Sequence, residues 1–216
     1  MRGLHIAAVN GVDRLACARD DSGVRQPSTR LRLVAAGHRL ITAAALTGAI
    51  APSSRYLANA MAHAARRAGA LVELGAGRGP VTRALARAHP SLRLVVVELH
   101  PGRAASLRQE FKHAEVHAAP AAAVLRTLSG LPAATALVSS LPFRSLPASL
   151  KQETVDSVLE FLRAGAGRFM LQYTYGLGVP FHVPPGFRWR KGGFVALNLP
   201  PAAIWVLEPE PAPLHA

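Results

Sequence analysis

The stretch LVELGAGRGP, residues 71–80, constrains this chain more than any other. An apolar run from Leu71 to Leu74 carries one acid, Glu73, and glycines follow at alternate positions, Gly75, Gly77 and Gly79. Pro80 then opens an alanine-rich stretch, Val81 to Ala88. The pattern predicts a strand, a tight glycine turn and a helix. Glycine lacks a Cβ and tolerates positive φ, so such a turn lets a ligand approach the backbone closely. Pro80 suits the first helical position, where a missing N–H costs nothing. The free amides of that helix start attract a polar or anionic ligand.

A dinucleotide fingerprint needs G-x-G-x-x-G. Here the third glycine falls one residue early and Pro80 stands where the fingerprint wants glycine, which weakens a nicotinamide reading. A second strand is expected over residues 92–97, LRLVVV, and Glu98 stands at its end. A carboxylate there can accept hydrogen bonds from the adjacent hydroxyls of a ribose. With Glu98 downstream, the pattern acid-x-G-x-G-x-G, formed by Glu73, Gly75, Gly77 and Gly79, resembles motif I of class I S-adenosylmethionine-dependent methyltransferases. The resemblance implies S-adenosylmethionine as the cofactor.

A length of 216 residues, half of them apolar, fits one globular domain with a sizeable core. The net charge of +13 favours an anionic partner, either nucleic acid or an acidic lipid surface. Cys17 is the only cysteine, which excludes an intramolecular disulfide and is compatible with a reducing compartment. No apolar run reaches the length of a membrane span. Residues 1–18 do not read as a signal peptide, because Asn10, Asp13 and Arg14 interrupt the apolar stretches.

Residues 1–29 lack periodicity and are expected to be an extension outside the fold. Over residues 30–46, Leu33, Val34, Gly37, Leu40, Ile41 and Ala44 share one helical face, opposite Arg32 and Arg39. Such a basic amphipathic helix can lie in a membrane interface or pack on the domain surface. Residues 47–54 read as a loop with Ser53 or Ser54 capping a helix that runs to about Arg67, its buried face formed by Leu57, Ala60, Met61 and Ala64. Beyond Glu98, helices are expected over residues 101–112, 118–128 and 149–162, and strands over 114–117, 135–139 and 168–175. A Gly- and Pro-rich loop spans 176–186, a closing hairpin pair 188–198 and 203–207, and a tail 208–216. Strands separated by helices predict an α/β fold of Rossmann type, a mostly parallel sheet with a closing antiparallel hairpin and helices on both faces. Such a sheet binds its ligand at the carboxyl ends of the strands, where the glycine turn, Glu98, Ser140 and Tyr175 all fall.

Enzymes that methylate exocyclic amines of bases carry [N/D/S]-P-P-[Y/F/W] after strand four. Ser140-Leu141-Pro142-Phe143 keeps the serine, the second proline and the aromatic. The pieces TGAIAPSS, LVELGAGRGPVT, VVVELHPG, SSLPF, LQYTYG and ALNLPPAAIWV together resemble bacterial phospholipid N-methyltransferases, which convert phosphatidylethanolamine to phosphatidylcholine, over residues 31–207. The resemblance implies membrane docking by residues 30–46 and a peripheral place on the cytoplasmic face of an anionic plasma membrane. It implies that Thr47, Gly48, Ser53, Glu73, Gly75, Gly77, Gly79 and Glu98 hold the cofactor. Ser140, Leu141 and Pro142 match the substrate-side strand end, and Tyr175 a tyrosine after strand five.

Tyr173 and Tyr175 are candidates to orient an ammonium head group, one of the two being expected to turn into the core. Arg144, Arg188, Arg190 and Lys191 are candidates for a lipid phosphate, and His182 is the candidate base. One departure stands out. The family carries an acid after strand three that touches adenine, and Pro120 occupies that place here. Two rival readings share the fold: an RNA or DNA adenine N6-methyltransferase, and a non-catalytic methyltransferase-like membrane-binding protein.

Overall fold

The computed structural model describes residues 18–19, 25–26, 54–176 and 178–211. The expected interfacial helix over 30–46 and the entry-loop residues Thr47, Gly48 and Ser53 lie outside them. The chain divides into two units, Met1–Thr47 and Gly48–Ala216. In the first, two short strands, β1 (Ala18–Arg19) and β2 (Arg25–Gln26), pair antiparallel within the stretch expected to be an extension.

The second unit opens on α1 (Arg55–Ala64), where the Ser54 side chain accepts from the Leu57 amide, as an N-cap serine does. The helix stops three residues before the expected Arg67 and continues as turns to Gly69. Then follow β3 (Ala70–Leu74), α2 (Pro80–Ala88), β4 (Arg93–Val97), α3 (Pro101–Glu110) and β5 (Glu115–His117). The second half is α4 (Ala121–Thr127), β6 (Thr135–Ser139), α5 (Ala148–Arg163), β7 (Phe169–Tyr175), β8 (Phe187–Val195) and β9 (Ala202–Pro209). Helix α4 starts three residues later than expected, because Pro120 takes the cap position with φ −58° and ψ 140° and residues beside proline avoid helical geometry.

Seven strands form one sheet in the order β5-β4-β3-β6-β7-β9-β8. β3 to β7 are mutually parallel, and β9 enters antiparallel between β7 and β8. β9 runs through Pro209 into the expected tail, because Leu207, Glu208 and Pro209 pair with Trp189, Arg188 and Phe187.

A parallel strand covered on both faces is apolar throughout, and all of β3 is buried. Leu71 and Val96 pack with Leu57, Met61, Leu85 and Leu107 from α1 to α3. On the other face Val72, Val95 and Leu137 pack with Val124, Val158 and Leu162 from α4 and α5. Burying each such side chain contributes about 1.5–3 kcal/mol. The consequence for the site is topological: β3 sits centrally, with β4 on one side and β6 on the other. The chain reverses its winding at that point, and a crevice opens above the carboxyl ends of the strands.

Candidate active site

The glycine turn stands at that reversal. Gly75, Gly77 and Gly79 all have positive φ, +77°, +60° and +80°. Two of them are crowded. A Cβ on Gly75 would lie 2.7 Å from the Leu141 side chain, and one on Gly79 2.8 Å from Leu107. Gly77 differs, because a Cβ there would meet no heavy atom within 4 Å. The outer glycines therefore close the turn against the body of the protein, and the middle one faces open space. The amides of Gly75 and Ala76 donate to the Val97 carbonyl at 2.8 and 3.2 Å, tying the turn to β4. Gly79 caps α2 in a left-handed conformation with no side-chain cap, and Pro80 opens the helix.

Glu98 is buried at the end of β4 and joins the turn. Its Oε2 accepts from the Gly77 amide at 2.7 Å and its Oε1 from the His100 amide at 3.0 Å. Arg103 lies 3.7 Å from the same carboxylate. Each carboxylate oxygen retains a second acceptor site. Glu98 can therefore hold the turn and still receive hydroxyls. His100 caps α3 by accepting at Nδ1 from the Gly102 and Arg103 amides.

Glu73 lies beneath the turn, fully buried, with no hydrogen bond of normal geometry to either carboxylate oxygen. Burial pushes its carboxyl up to about 7; Thr82 on α2 opposes this, and the negative charge of Glu98 adds to it. Thr82, also buried, went unnoticed in the sequence because nothing there shows that α2 lays its first turn against Glu73.

Across the crevice, the Ser140 amide donates to the Leu74 carbonyl at 2.9 Å, which fixes the end of β6 beside the turn. Leu141 rests on Gly75. Its amide donates to Ser139 Oγ at 3.2 Å. Its carbonyl accepts from Gln172 Nε2 at 3.1 Å and from the Phe143 amide at 3.0 Å. A carbonyl oxygen has two lone pairs, so the Leu141 carbonyl is spent inside the protein and does not serve a substrate amine. Of the two acceptors expected from the motif, the Ser140 side chain is the one that remains a candidate. Pro142 is half-buried, and its carbonyl accepts from the Ser145 and Leu146 amides in a tight turn. Phe143, the aromatic of the motif, is buried, 4.7 Å from the Phe181 ring.

β7 stays regular to its end. Tyr173 and Tyr175 therefore share one face, their rings edge to face at 5.6 Å, and one of the two, Tyr173, lies in the core as expected. Tyr173 belongs to the core, and Tyr175 packs against it with its hydroxyl buried. Burial, then the neighbouring Tyr173, holds the Tyr175 phenol well above its ordinary value, so it stays neutral. Asn198 stands beside Tyr175 and opposes that shift. It is buried, accepts from the Ser54 amide at 3.1 Å and donates to the Pro200 carbonyl at 2.7 Å.

Arg144 is exposed on the loop after β6 and donates to the Val179 carbonyl at 3.1 Å, pinning the loop after β7. His182 is an exposed side chain of that loop. Arg188, Arg190 and Lys191 are exposed on the edge strand β8. Arg188 and Arg190 stand at the other end of the sheet, and Arg190 pairs with Glu208 at 3.0 Å. This removes both from the phosphate candidates. At the end of β5, Pro120 caps α4 with no side-chain hydrogen bond and no acid in the first turn of that helix.

The strand order, the antiparallel β9 and the glycine turn at the reversal decide the architecture. The fold is that of the class I S-adenosylmethionine-dependent methyltransferases. Solved structures agree. The SAH-bound Podospora anserina methyltransferase PaMTH1 superposes with a TM-score of 0.56 at 14% identity, covering 88% of this chain and 100% of that one. Cofactor-bound Rv0187 from MTB superposes with a TM-score of 0.55 at 19% identity, covering 85% and 98%. No protein-family model matches the chain. A curated relative, ornithine lipid N-methyltransferase of Singulisphaera acidiphila, is 34% identical over 128 residues. That match takes in 56% of this chain and spans 66% of the relative's length.

The residues present fit S-adenosylmethionine. Gly77 is open where a ligand must approach, and Glu98 is an ionisable acceptor held beside it. The adenine side is the poorer part, with Pro120 in place of an acid.

Proposed function

We propose that this chain is an S-adenosylmethionine-dependent N-methyltransferase whose acceptor is the amine head group of a membrane lipid. The observation that carries the cofactor half is the open Gly77 beside the buried Glu98 at the carboxyl end of β3 and β4. The lipid half is supported by the 34% identical relative named for an ornithine lipid. Phosphatidylethanolamine and ornithine lipid are both primary-amine lipids, and both are candidate acceptors.

S-adenosylmethionine, when bound, supplies an electrophilic methyl group. The backbone of residues 75–79 and the Glu98 carboxylate would hold it. The chain's own task is to present a neutral amine in line with that methyl, because positioning supplies much of the rate in such transfers. Ser140 Oγ would accept a hydrogen bond from the amine, and the neighbouring Leu141 turn is held by Gln172. Tyr175, half-buried with its hydroxyl turned inward, would offer only its ring face to an ammonium head group. Arg144 stands nearby at the surface as a partner for a lipid phosphate or carboxylate. The amine reaches the site after losing its proton to solvent, with exposed His182 as a candidate acceptor on the loop after β7. The nucleic-acid reading is disfavoured by Phe143, whose burial leaves no aromatic at that position to stack on a flipped base. A place on an anionic membrane follows from the lipid acceptor and the charge of +13; among the described residues no helix is long and apolar enough to cross a membrane.

The test is expression in a bacterium that makes both amine lipids but methylates neither, followed by lipid mass spectrometry, with calorimetric titration of S-adenosylmethionine on the purified protein. Cofactor binding with methylated ethanolamine or ornithine lipids is expected. Cofactor binding without methyl transfer to either lipid would remove the acceptor, and no cofactor binding would remove the enzyme reading altogether.

A further inference from the structure

Exposed apolar residues gather at one end of this molecule. Among the described residues, the large hydrophobic side chains left exposed are Tyr56, Leu99, Phe194, Leu197 and Leu199, from 43% to 88% accessible. All lie at the carboxyl end of the parallel strands. Leu99 follows β4 directly. Phe194 pairs with Ala203, which pairs with Thr174 near the end of β7. Leu197 and Leu199 form the turn between β8 and β9, and Tyr56 lies in the first turn of α1, which that turn contacts through Ser54.

The turn is built to project its leucines. Asn198 is buried and bonded on both sides, to the Ser54 amide and the Pro200 carbonyl, while Leu197 and Leu199 flank it in solvent. An isolated exposed leucine needs no explanation, but apolar side chains gathered at one end do.

Charge at this end points to the occupant. In the described loops that form it, residues 75–79, 98–100, 118–120, 140–147 and 196–201, the sole carboxylate is Glu98, and it is buried. Arg55, Arg78 and Arg144 are exposed around it. Exposed carboxylates lie elsewhere: Glu110 ends α3, Glu115 opens β5, Glu153, Asp156 and Glu160 lie along α5, and Glu210 follows β9. Apolar projections ringed by arginine without acid match an anionic bilayer surface, where leucines enter the acyl boundary and guanidinium groups meet phosphates. A second copy of the chain would bring arginine against arginine.

We infer that the carboxyl end of the sheet is a membrane-docking face, with the turn of residues 196–201 as its inserting element and Leu197 and Leu199 as its anchors on an anionic bilayer. The inference rests on the lipid-amine reading and deepens it. A lipid head group stays tethered to its acyl chains, so the mouth of the site must meet the bilayer, and the mouth and the leucines share one end.

The test uses the full chain with Cys17→Ser. An environment-sensitive fluorophore is attached at Leu199→Cys or, as a control at the opposite end, at Glu210→Cys. Vesicles of phosphatidylglycerol with phosphatidylcholine are compared with phosphatidylcholine alone. A blue shift of the Leu199 label on anionic vesicles, with the Glu210 label unmoved, is expected. The double variant Leu197→Ser/Leu199→Ser is expected to partition at least about tenfold more weakly, with Tm and S-adenosylmethionine affinity unchanged. A silent Leu199 label on vesicle-bound protein would overturn the proposal, as would undiminished partitioning of the double variant or no vesicle binding at all. A label shift that tracks protein concentration without vesicles would assign the face to self-association and overturn it too. Methyl transfer to amine lipid dispersed in detergent micelles is measured in parallel. A tip response without methyl transfer supports docking while removing the substrate reading, so the two fail separately.

Discussion

At the scale of single residues, the two acids of the site divide the work by environment. Glu98 accepts two backbone amides, whereas Glu73 is buried without normal hydrogen bonds. Replacing Glu98 by Gln removes the charge and changes one acceptor oxygen into a donor facing an amide. Cofactor affinity is expected to fall by about 1.5–3 kcal/mol, the worth of a charged hydrogen bond, as read by calorimetry. For Glu73, burial pushes the carboxyl up to about 7 from an ordinary value of 4.5. A raised value means that the fold binds the proton more tightly than the unfolded chain does, so this contribution to stability is complete below pH 4.5 and lost as pH rises through about 7. Glu73→Gln keeps the shape and removes the titration. Its stability advantage over the native chain should grow from near zero at acid pH to about 3 kcal/mol above neutrality. Urea unfolding at several pH values measures this, and a pH-independent difference would show that Glu73 is not the group responsible.

At the scale of elements, the site is held by contacts between segments far apart in the chain. Gln172 on β7 reaches the Leu141 carbonyl, and Asn198 on the closing turn reaches the Ser54 amide of α1. Asn198→Ala leaves a part-buried amide and a part-buried carbonyl without this partner, and is expected to lower stability by about 1 kcal/mol, seen in thermal unfolding. Gln172→Ala should act differently. The Leu141 carbonyl keeps the Phe143 amide, so the loss of stability is smaller, about 1 kcal/mol. The loosened turn under Ser140 should lower kcat about tenfold or more with cofactor affinity retained. A variant that loses cofactor affinity instead would show that Gln172 serves the cofactor side.

Both residues were missed in the sequence. Gln172 sits within LQYTY and Asn198 within NLPP, each a polar residue in an otherwise apolar stretch. That is the one signal that could have found them, because a buried amide is retained only where it has partners. The strand-turn-helix over residues 70–88 was legible from glycine spacing and Pro80, and the helix expected over 118–128 was legible except for its start, which Pro120 sets at Ala121. That one of Tyr173 and Tyr175 enters the core was expected; period-two geometry puts both on one face of a regular strand, and packing decides that Tyr173 is the one covered.

At the scale of the whole molecule, cofactor binding is linked to folding. A ligand that binds only the folded chain stabilises it by RT ln(1 + [L]/Kd), about 2.7 kcal/mol at a hundredfold excess over Kd. S-adenosylmethionine should therefore raise Tm, and ATP or NAD at equal concentration should not, since the turn lacks the dinucleotide fingerprint. Scanning fluorimetry with each ligand checks this; an equal shift with NAD would count against the cofactor assignment.

The sequence by itself determined the local units: the glycine turn, the acid at the end of the next strand, the alternation of strands and helices and the closing hairpin. These follow from period, φ tolerance and capping, which act over a few residues. Tertiary structure decided what the units do to one another. Pairing of β3 with both β4 and β6 brings Glu98 and Leu141 to opposite sides of one turn, and β9 between β7 and β8 brings Asn198 beside Tyr175. It spends the Leu141 carbonyl on Gln172, buries Phe143, and leaves the exposed apolar side chains at the end where the site opens. Those outcomes depend on burial and on partners more than twenty residues away, and no local period in the chain records them.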